Sequence, residues 1–548
     1  MVFNGEIYNF KEIRKILEKK NIRFTTNTDT EVLLNAWIEW GEDCLSKLRG
    51  MFSFSILDKS KQKIFLIKDN FGMKPLYFFK DENKFFFASE IICILKLLKK
   101  KISINYKKTY DYLIYGDHDN SSDTFFTGIF QLRPGEILTM DLKKNSIKRL
   151  KWWHPQTNLV KNISFEDAKL KVRENFLESV QKHMISDVEI GIALSGGVDS
   201  SAIACAVKYL NPKKKINLFS FITETKEEDE THWIEVVEKH LNEKSIKISQ
   251  SKIELSSMID EIIEFQGEPF GDTTIIAEYL IFMKAKQENI KVLLMGHGGD
   301  EIFAGYDGFP GIIIKTYVSN LQFLKLLKFC YYWIKRNKSS LFILIKKVGN
   351  EFFTGKFKTF LLYFAGVKQK PNWINKDFFK KKNIIFGVNK KKHHVKNNRN
   401  LANKQLDNIF YNNLPAMLRY ADRSSMKNSI ECRLPFLNSD LFIHSLTLPE
   451  NFLVTNKGIT KYIFKESMKD IVPKEILNRK DKIGYFNNDN DFIQKVLKNT
   501  ELNSDLDLFD LPNLNKFLNN NNSHNNLQKW RIINFIRWKN IFSKFIAS

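Results

Sequence analysis

Two stretches of this 548-residue chain set small, hydroxylic and acidic residues at spacings that can do chemistry. The first, residues 190–201, reads IGIALSGGVDSS: an apolar run, a glycine turn, then a helix at once. Two glycines let the backbone turn sharply and approach a ligand closely. The hydroxyls and N–H groups of Ser195, Gly196, Gly197 and Ser200 then sit at a helix N-terminus, where backbone dipoles favour an anion. The Walker spacing GxxxxGK[ST] is absent, so this is a different phosphate loop. An ordinary strand–turn–helix with serine caps is the plainer reading. Asp199 weighs against it, because an acid beside a phosphate makes sense as a Mg²⁺ ligand. The second stretch, 292–306, reads VLLMGHGGDEIFAGY and repeats the order of strand, glycine turn, acid pair and helix. Asp300 is then expected at the carboxyl end of a neighbouring parallel strand, where open α/β sheets bind ligands. From there Asp199 and Asp300 could share one cation.

The elements that must hold these turns are legible around them. Between 185 and 306, the runs VEIGIAL, INLFSFI and IKVLLMG alternate with helical stretches, the pattern of a parallel sheet covered on both faces. The stretch 164–184 predicts a helix, with Ser164 as N-cap and Asp167 in its first turn. Residues 1–150 read differently. Short β-like runs at 50–58, 63–69, 75–80 and 84–89 are separated by turn residues, with 31–41 as the clearest helix. The Pro-containing stretch 150–158 ends that pattern. Residues 307–400 read as basic, aromatic and helical without recognisable chemistry, and 513–528 as a polar, Asn-rich loop.

Composition bounds the partners. Lys plus Arg number 86 against 62 Asp plus Glu, a formal charge of +24. The bases are mostly Lys, spread along the chain among many Asn, Ile and Phe, which is a bulk bias and not a clustered nucleic-acid or membrane face. Five cysteines lie far apart without a CxxC pair, which argues against a metal or disulfide framework and suits a reducing cytosol. The most apolar stretch, 321–335, is broken by lysines and falls short of the roughly 20 apolar residues that span a bilayer. No basic-then-apolar leader opens the chain. A cytoplasmic protein without nucleic-acid or membrane partners is the expectation.

SGGVDSS resembles the pyrophosphate loop of the PP-loop ATP pyrophosphatases. With NGEIYN (4–9), TDTE (28–31), GMKPLYF (72–78), FASE (87–90), GEPFGD (267–272), GGDEIFAGY (298–306), ECRLPFL (431–437) and RKDKIGY (479–485), the ordered set is similar to the asparagine synthetase B family across nearly the whole chain. The resemblance implies a truncated N-terminal-nucleophile glutaminase of α/β/β/α type over 1–155. A PP-loop adenylating domain, with a parallel sheet and a helical C-terminal part, is implied over 160–548. It implies MgATP-dependent activation of the aspartate β-carboxylate to β-aspartyl-AMP, then displacement of AMP by ammonia drawn from glutamine. By the same resemblance Ser195, Gly196, Gly197, Asp199 and Ser200 cradle pyrophosphate, and Asp199 with Asp300 holds Mg²⁺. Leu194 and Phe221 pack the adenine, and Met295 with Gly296 meets the nucleotide through backbone. Lys482 stabilises charge during attack on phosphorus. Lys461, in GITKYIFKE, is a weaker candidate for the same role and reads first as structural. The oligomeric state stays open, with a homodimer as one option.

Two departures stand out. His297 replaces the acid or amide usual in the family, and Met295 its common serine, so either an imidazole handles protons there or the acceptor is another carboxylate, such as a surface-polysaccharide sugar acid. In the first domain, Asn4 and Gly5 match oxyanion-hole donors, and Asn4, Glu6 and Asp29 match the glutamine-binding residues. No cysteine precedes Cys44, and Cys44 reads as a core residue of a helix. The expectation is a truncated sequence whose polypeptide does not hydrolyse glutamine.

Overall fold

The computed structural model describes residues 1–160, 162–223, 230–249, 256–306, 308–337, 371–384, 399–480, 490–501, 507–520 and 525–547. Its N-terminal part is built on strands β1 (Val2–Ile7), β2 (Gly50–Asp58), β3 (Lys63–Lys68), β7 (Glu136–Asp141) and β8 (Ser146–Lys151). They form one antiparallel sheet in the order β1-β2-β3-β7-β8. A second sheet has the order β5-β4-β6, from β4 (Tyr77–Lys80), β5 (Phe85–Ala88) and β6 (Ile129–Gln131).

Burial explains the stacking. Ile13, Leu17, Val32, Leu33 and Trp37, from helices Phe10–Glu18 and Asp29–Trp40, pack on Phe52, Phe54 and Phe65 of one sheet face. Leu66, Leu138 and Met140 on the opposite face meet Phe78 of the smaller sheet. Tyr77 and Phe79 turn from there toward Ile91, Ile94 and Leu95 of helix Ile91–Leu98. Alternation of side chains along each strand thus yields helix, sheet, sheet, helix. The expected strands appear within a few residues. Helices Phe10–Glu18, Ile91–Leu98 and Tyr106–Tyr115 are additions to the one helix legible in the sequence.

The second part is an all-parallel sheet in the order β11-β10-β9-β12-β13. Its strands are β9 (Ile190–Ala193), β10 (Asn217–Phe221), β11 (Ser245–Ile248), β12 (Val292–Leu294) and β13 (Glu431–Arg433). Helix Phe165–His183 precedes it, capped as expected by Ser164 accepting from the Asp167 N–H at 3.1 Å. Three-residue β13 carries no period of its own, which is why the sequence hid it. The expected loop at 513–528 is corrected: Leu511–Leu518 is a helix, begun by Asp510 as N-cap and Pro512 in its first turn. Helix Asn526–Ile541 follows. In the basic stretch 307–400, Phe309–Ser319 and Phe323–Asn337 are helices, and residues 338–370 and 385–398 lie outside the described residues. Among the described residues no helix is long and apolar enough to cross a membrane.

Candidate active site

Central strands β9 and β12 are hydrogen-bonded neighbours, with Leu293 opposite Gly191. Their carboxyl ends therefore release the two glycine turns side by side, as the topology of an open parallel sheet requires of a ligand site. In the first turn the serines hold each other. Ser200 Oγ lies 3.1 Å from Ser195 Oγ and accepts from the Ser195 N–H at 3.1 Å, and Ser195 Oγ accepts from the Gly197 N–H at 3.4 Å. Gly197 begins helix Val198–Leu210 and supplies no side-chain cap to its first turn, which suits an incoming anion.

The second turn packs directly on the first. A Cβ on Gly299 would collide with the Asp199 carboxylate, so glycine is needed for the two loops to meet. The turn then delivers Asp300, which is buried, beside Asp199. Lys461 Nζ joins them: it lies 2.5 Å from Asp199 Oδ2 and 2.7 Å from Asp300 Oδ1. A Cβ on Gly305 would strike both Asp300 Oδ1 and Lys461 Cε. Lys461, read from sequence as structural, thus occupies the middle of the site. Nothing in GITKYIFKE signals it, because the contact spans 262 residues.

A cavity of about 350 Å³ opens over this cluster. Of the residues expected there, Leu194, Ser195, Gly197, Asp199, Ser200, Phe221, Met295, Gly296 and Asp300 line it. Gly196 makes the turn itself, at φ +67°, with Trp233 and Ile234 packed where a side chain would stand. Lys482 lies in 481–489, outside the described residues. Sequence reasoning missed Glu230, Arg479 and Glu278. Arg479 Nη2 donates to Glu230 Oε1 at 2.6 Å, and the pair lines the cavity. His297 Nε2 is 3.3 Å from Glu278 Oε1 of helix Thr274–Gln287. Tyr306 donates to Glu301 Oε1 at 2.5 Å, and burial, reinforced by the Glu301 charge, pushes its phenol well above the ordinary value.

Two carboxylates within reach of a single ammonium can equally converge on a single metal ion. Mg²⁺ is commonly held by one or two carboxylates together with substrate phosphates, and the donors present match that habit. Among the described residues no cluster of three or more His, Cys, Asp or Glu offers an all-protein metal cage.

The N-terminal half has its own polar cluster. Asn4 Nδ2 donates to Ser89 Oγ at 3.2 Å, and Asp29 Oδ2 accepts from the Ile7 N–H at 3.0 Å. Gly5, at φ +143°, lies so close to the Met51 and Phe52 backbone of β2 that no side chain fits. Glu6 reaches across to Glu431 of β13. Burial first, then the Glu431 and Asp29 charges, raise its carboxyl to about 7. Burial likewise raises Asp29. Cys44 is fully buried in the 3₁₀ turn Gly41–Lys47, and burial pushes its thiol up to about 12.

Residues 171–540 match the asparagine synthase family, and residues 1–153 the glutamine amidotransferase domain. The chain belongs to the asparagine synthase family. It is 30% identical to a glutamine-hydrolysing asparagine synthetase 1 of Bacillus subtilis (strain 168) over 498 residues, 88% of this chain and 75% of that protein. It is 26% identical to asparagine synthetase 3 of the same organism over 497 residues, 88% of this chain and 74% of that one. The family match covers both acidic turns, Lys461 and the cavity between them. Both relatives are named glutamine-hydrolysing asparagine synthetases, and the family is one of ATP-using ligases.

Proposed function

We propose that the chain adenylates the β-carboxylate of aspartate with MgATP and passes ammonia to the acyl-adenylate, giving asparagine, AMP and pyrophosphate. The observation that carries this reading is the convergence of Asp199, Asp300 and Lys461 above a serine–glycine phosphate loop. A carboxylate is a poor electrophile. Attack of its oxygen on the α-phosphorus, with pyrophosphate departing, converts it into an acyl-adenylate whose carbonyl ammonia can attack as AMP leaves.

Each group has a task in that scheme. Ser195, Ser200 and the first-turn N–H groups after Gly197 hold the departing pyrophosphate, with Gly196 shaping the turn. Leu194 and Phe221, both buried, pack the base, while the backbone of Met295 and Gly296 meets the nucleotide. Asp199 and Asp300 would hold Mg²⁺, which when bound neutralises phosphate charge. Lys461, and Lys482 from the adjoining segment, add positive charge where the transition state gathers negative charge.

The chain is a carbon–nitrogen ligase of a family that takes its nitrogen from glutamine. Asn4, Gly5, Glu6 and Asp29 supply oxyanion donors and glutamine-binding groups, in a domain we set at 1–155 before an adenylating domain at 160–548. Cys44, buried and with its thiol raised to about 12, does not suit the role of nucleophile. We assign it to the cytoplasm, with small-molecule substrates, no nucleic-acid or membrane partner, and a homodimer as one option.

A second reading, amidation of another carboxylate such as a sugar acid, is favoured by His297 and Glu278, which set an imidazole–carboxylate pair into the cavity wall. One experiment separates the two: pyrophosphate release by the purified chain with MgATP and ammonium, with and without aspartate, and analysis for asparagine. Release that ignores aspartate while MgATP still binds would transfer the assignment to the second reading.

A further inference from the structure

A cleft of about 760 Å³ lies away from the catalytic cavity and shares no lining residue with it. Its walls are the β7–β8 hairpin, helix Tyr106–Tyr115 and the turn before helix Asn413–Lys427. Five basic side chains line it, Lys107, Lys108, Arg133, Arg149 and Lys151, against three carboxylates, Asp111, Asp123 and Glu136. Two carboxylates are committed locally. Asp111 holds Lys107 at 2.5 Å, and Glu136 holds Arg149 at 2.6 Å.

Among the described residues the other three cations take no carboxylate as a direct hydrogen-bond partner, though Asp119 and Glu136 act on them at longer range. Lys108 reaches Asn120 Oδ1 and Ser121 Oγ at 3.4 Å. Arg133 donates to the carbonyls of Asp119, at 2.9 Å, Ser121, at 3.0 Å, and Phe410. Lys151 Nζ sits 3.8 Å from the centroid of the Phe410 ring. Lys108 and Arg133 are buried, and Arg149 Nε is buried with no hydrogen-bond partner among the described residues. Burial depresses both Lys108 and Lys151, the latter to about 8. Burial outweighs the nearby carboxylate charges on Lys108, Arg133 and Lys151, so these cations still carry an uncompensated desolvation cost. An anion entering the cleft would relieve that cost and complete the bonding of Arg149. Asn412, in the cleft wall, also begins a 15-residue helix without a side-chain cap, adding a positive dipole end.

We infer that this cleft is a second, non-catalytic anion site that takes a nucleotide-sized polyphosphate free of metal, held by Arg149 and Lys151. The contrast with the catalytic cavity gives the chemistry. There two carboxylates gather a cation to meet phosphates; here cations meet phosphates directly, so bound Mg²⁺ would weaken binding by removing charge from the ligand.

The test is equilibrium dialysis of radiolabelled ATP against the full chain in EDTA at low salt. The expected result is one bound equivalent, displaced by inorganic tripolyphosphate. Binding should fall about tenfold or more in the double variant Arg149→Gln, Lys151→Gln, since one charge-assisted contact is worth about that factor. It should persist in Asp199→Asn, which disables the catalytic metal site. The double variant should keep its MgATP-dependent pyrophosphate release, which also reports that it folds. Glu136→Gln, which frees Arg149, should tighten binding. No binding in EDTA, binding lost in Asp199→Asn but kept in the double variant, or no response to Glu136→Gln would each overturn the inference.

Discussion

Lys461 and Asp199, 262 residues apart, form a bidentate contact of 2.7 and 2.5 Å at the heart of the catalytic cavity, and the same ammonium reaches Asp300. One lysine thus holds together two carboxylates from the turns that follow adjacent strands, which like-charge repulsion would otherwise drive apart. Replacing Asp300 by Asn should lower aspartate-dependent pyrophosphate release by on the order of 100-fold, as for other removals of a group that organises transition-state charge. Lys461→Met should also lose turnover, and Mg²⁺ should then raise its melting temperature more than it raises that of the wild type, because the metal alone would neutralise the pair. Equal Mg²⁺ shifts in both proteins would separate the carboxylates from the metal. EDTA should abolish pyrophosphate release, and added Mg²⁺ should restore it.

Gly305 is the steric keystone of that contact. Gly305→Ala would push its methyl into Asp300 Oδ1 and Lys461 Cε. Turnover should fall at least as far as in Asp300→Asn, while circular dichroism stays native, since the clash is local. An active Gly305→Ala enzyme would show that the lysine–carboxylate contact is dispensable.

Glu6 makes stability depend on pH. Its carboxyl is raised to about 7 from an ordinary 4.5, by burial and then by Glu431 and Asp29. The folded state therefore binds this proton more tightly than the unfolded state. The group costs nothing below about pH 4.5, destabilises progressively between 4.5 and 7, and exerts its full penalty above 7. Glu6→Gln should match the wild type at low pH and gain in melting temperature across that window. A constant difference between the two proteins would show that Glu6 is not protonated in the folded chain.

The two halves are tied by Lys74 and Asp422, which pair at 3.2 Å with both side chains 5% exposed. Removing one partner of a buried pair leaves an uncompensated charge, typically about 3–5 kcal/mol. Lys74→Met should lower the urea midpoint accordingly, and Lys74→Met with Asp422→Leu should recover most of the loss. If the double variant is no more stable than the single one, the pair is not coupled.

Glu278 positions His297 from a neighbouring helix. Glu278→Gln should reduce turnover of the acceptor about tenfold, less than the roughly 100-fold or more that a proton-transfer group itself contributes, because Glu278 acts through His297, with KM for MgATP unchanged. A change confined to KM for MgATP would place the pair on the nucleotide instead.

Both glycine–acid turns, the parallel strands that carry them and the helix cap at Ser164 could be read from the sequence. Each is a local matter, decided by a few consecutive residues whose period or backbone freedom leaves a pattern. The N-terminal strands were legible for the same reason, whereas Asn4, Glu6 and Asp29 were singled out only by the resemblance carried in NGEIYN and TDTE. What the chain did not announce is whatever spans hundreds of residues. Lys461 read as structural and stands between two aspartates. Glu431 looked like a motif residue and faces Glu6 across the two halves. Arg133 and Lys151 looked like part of a diffuse basic surplus and share one cleft. Strand β13 has three residues and no period to detect. Backbone turns are set by neighbours along the chain, whereas a charge takes its meaning from whatever folding brings within a few ångströms, and only the tertiary structure decides that.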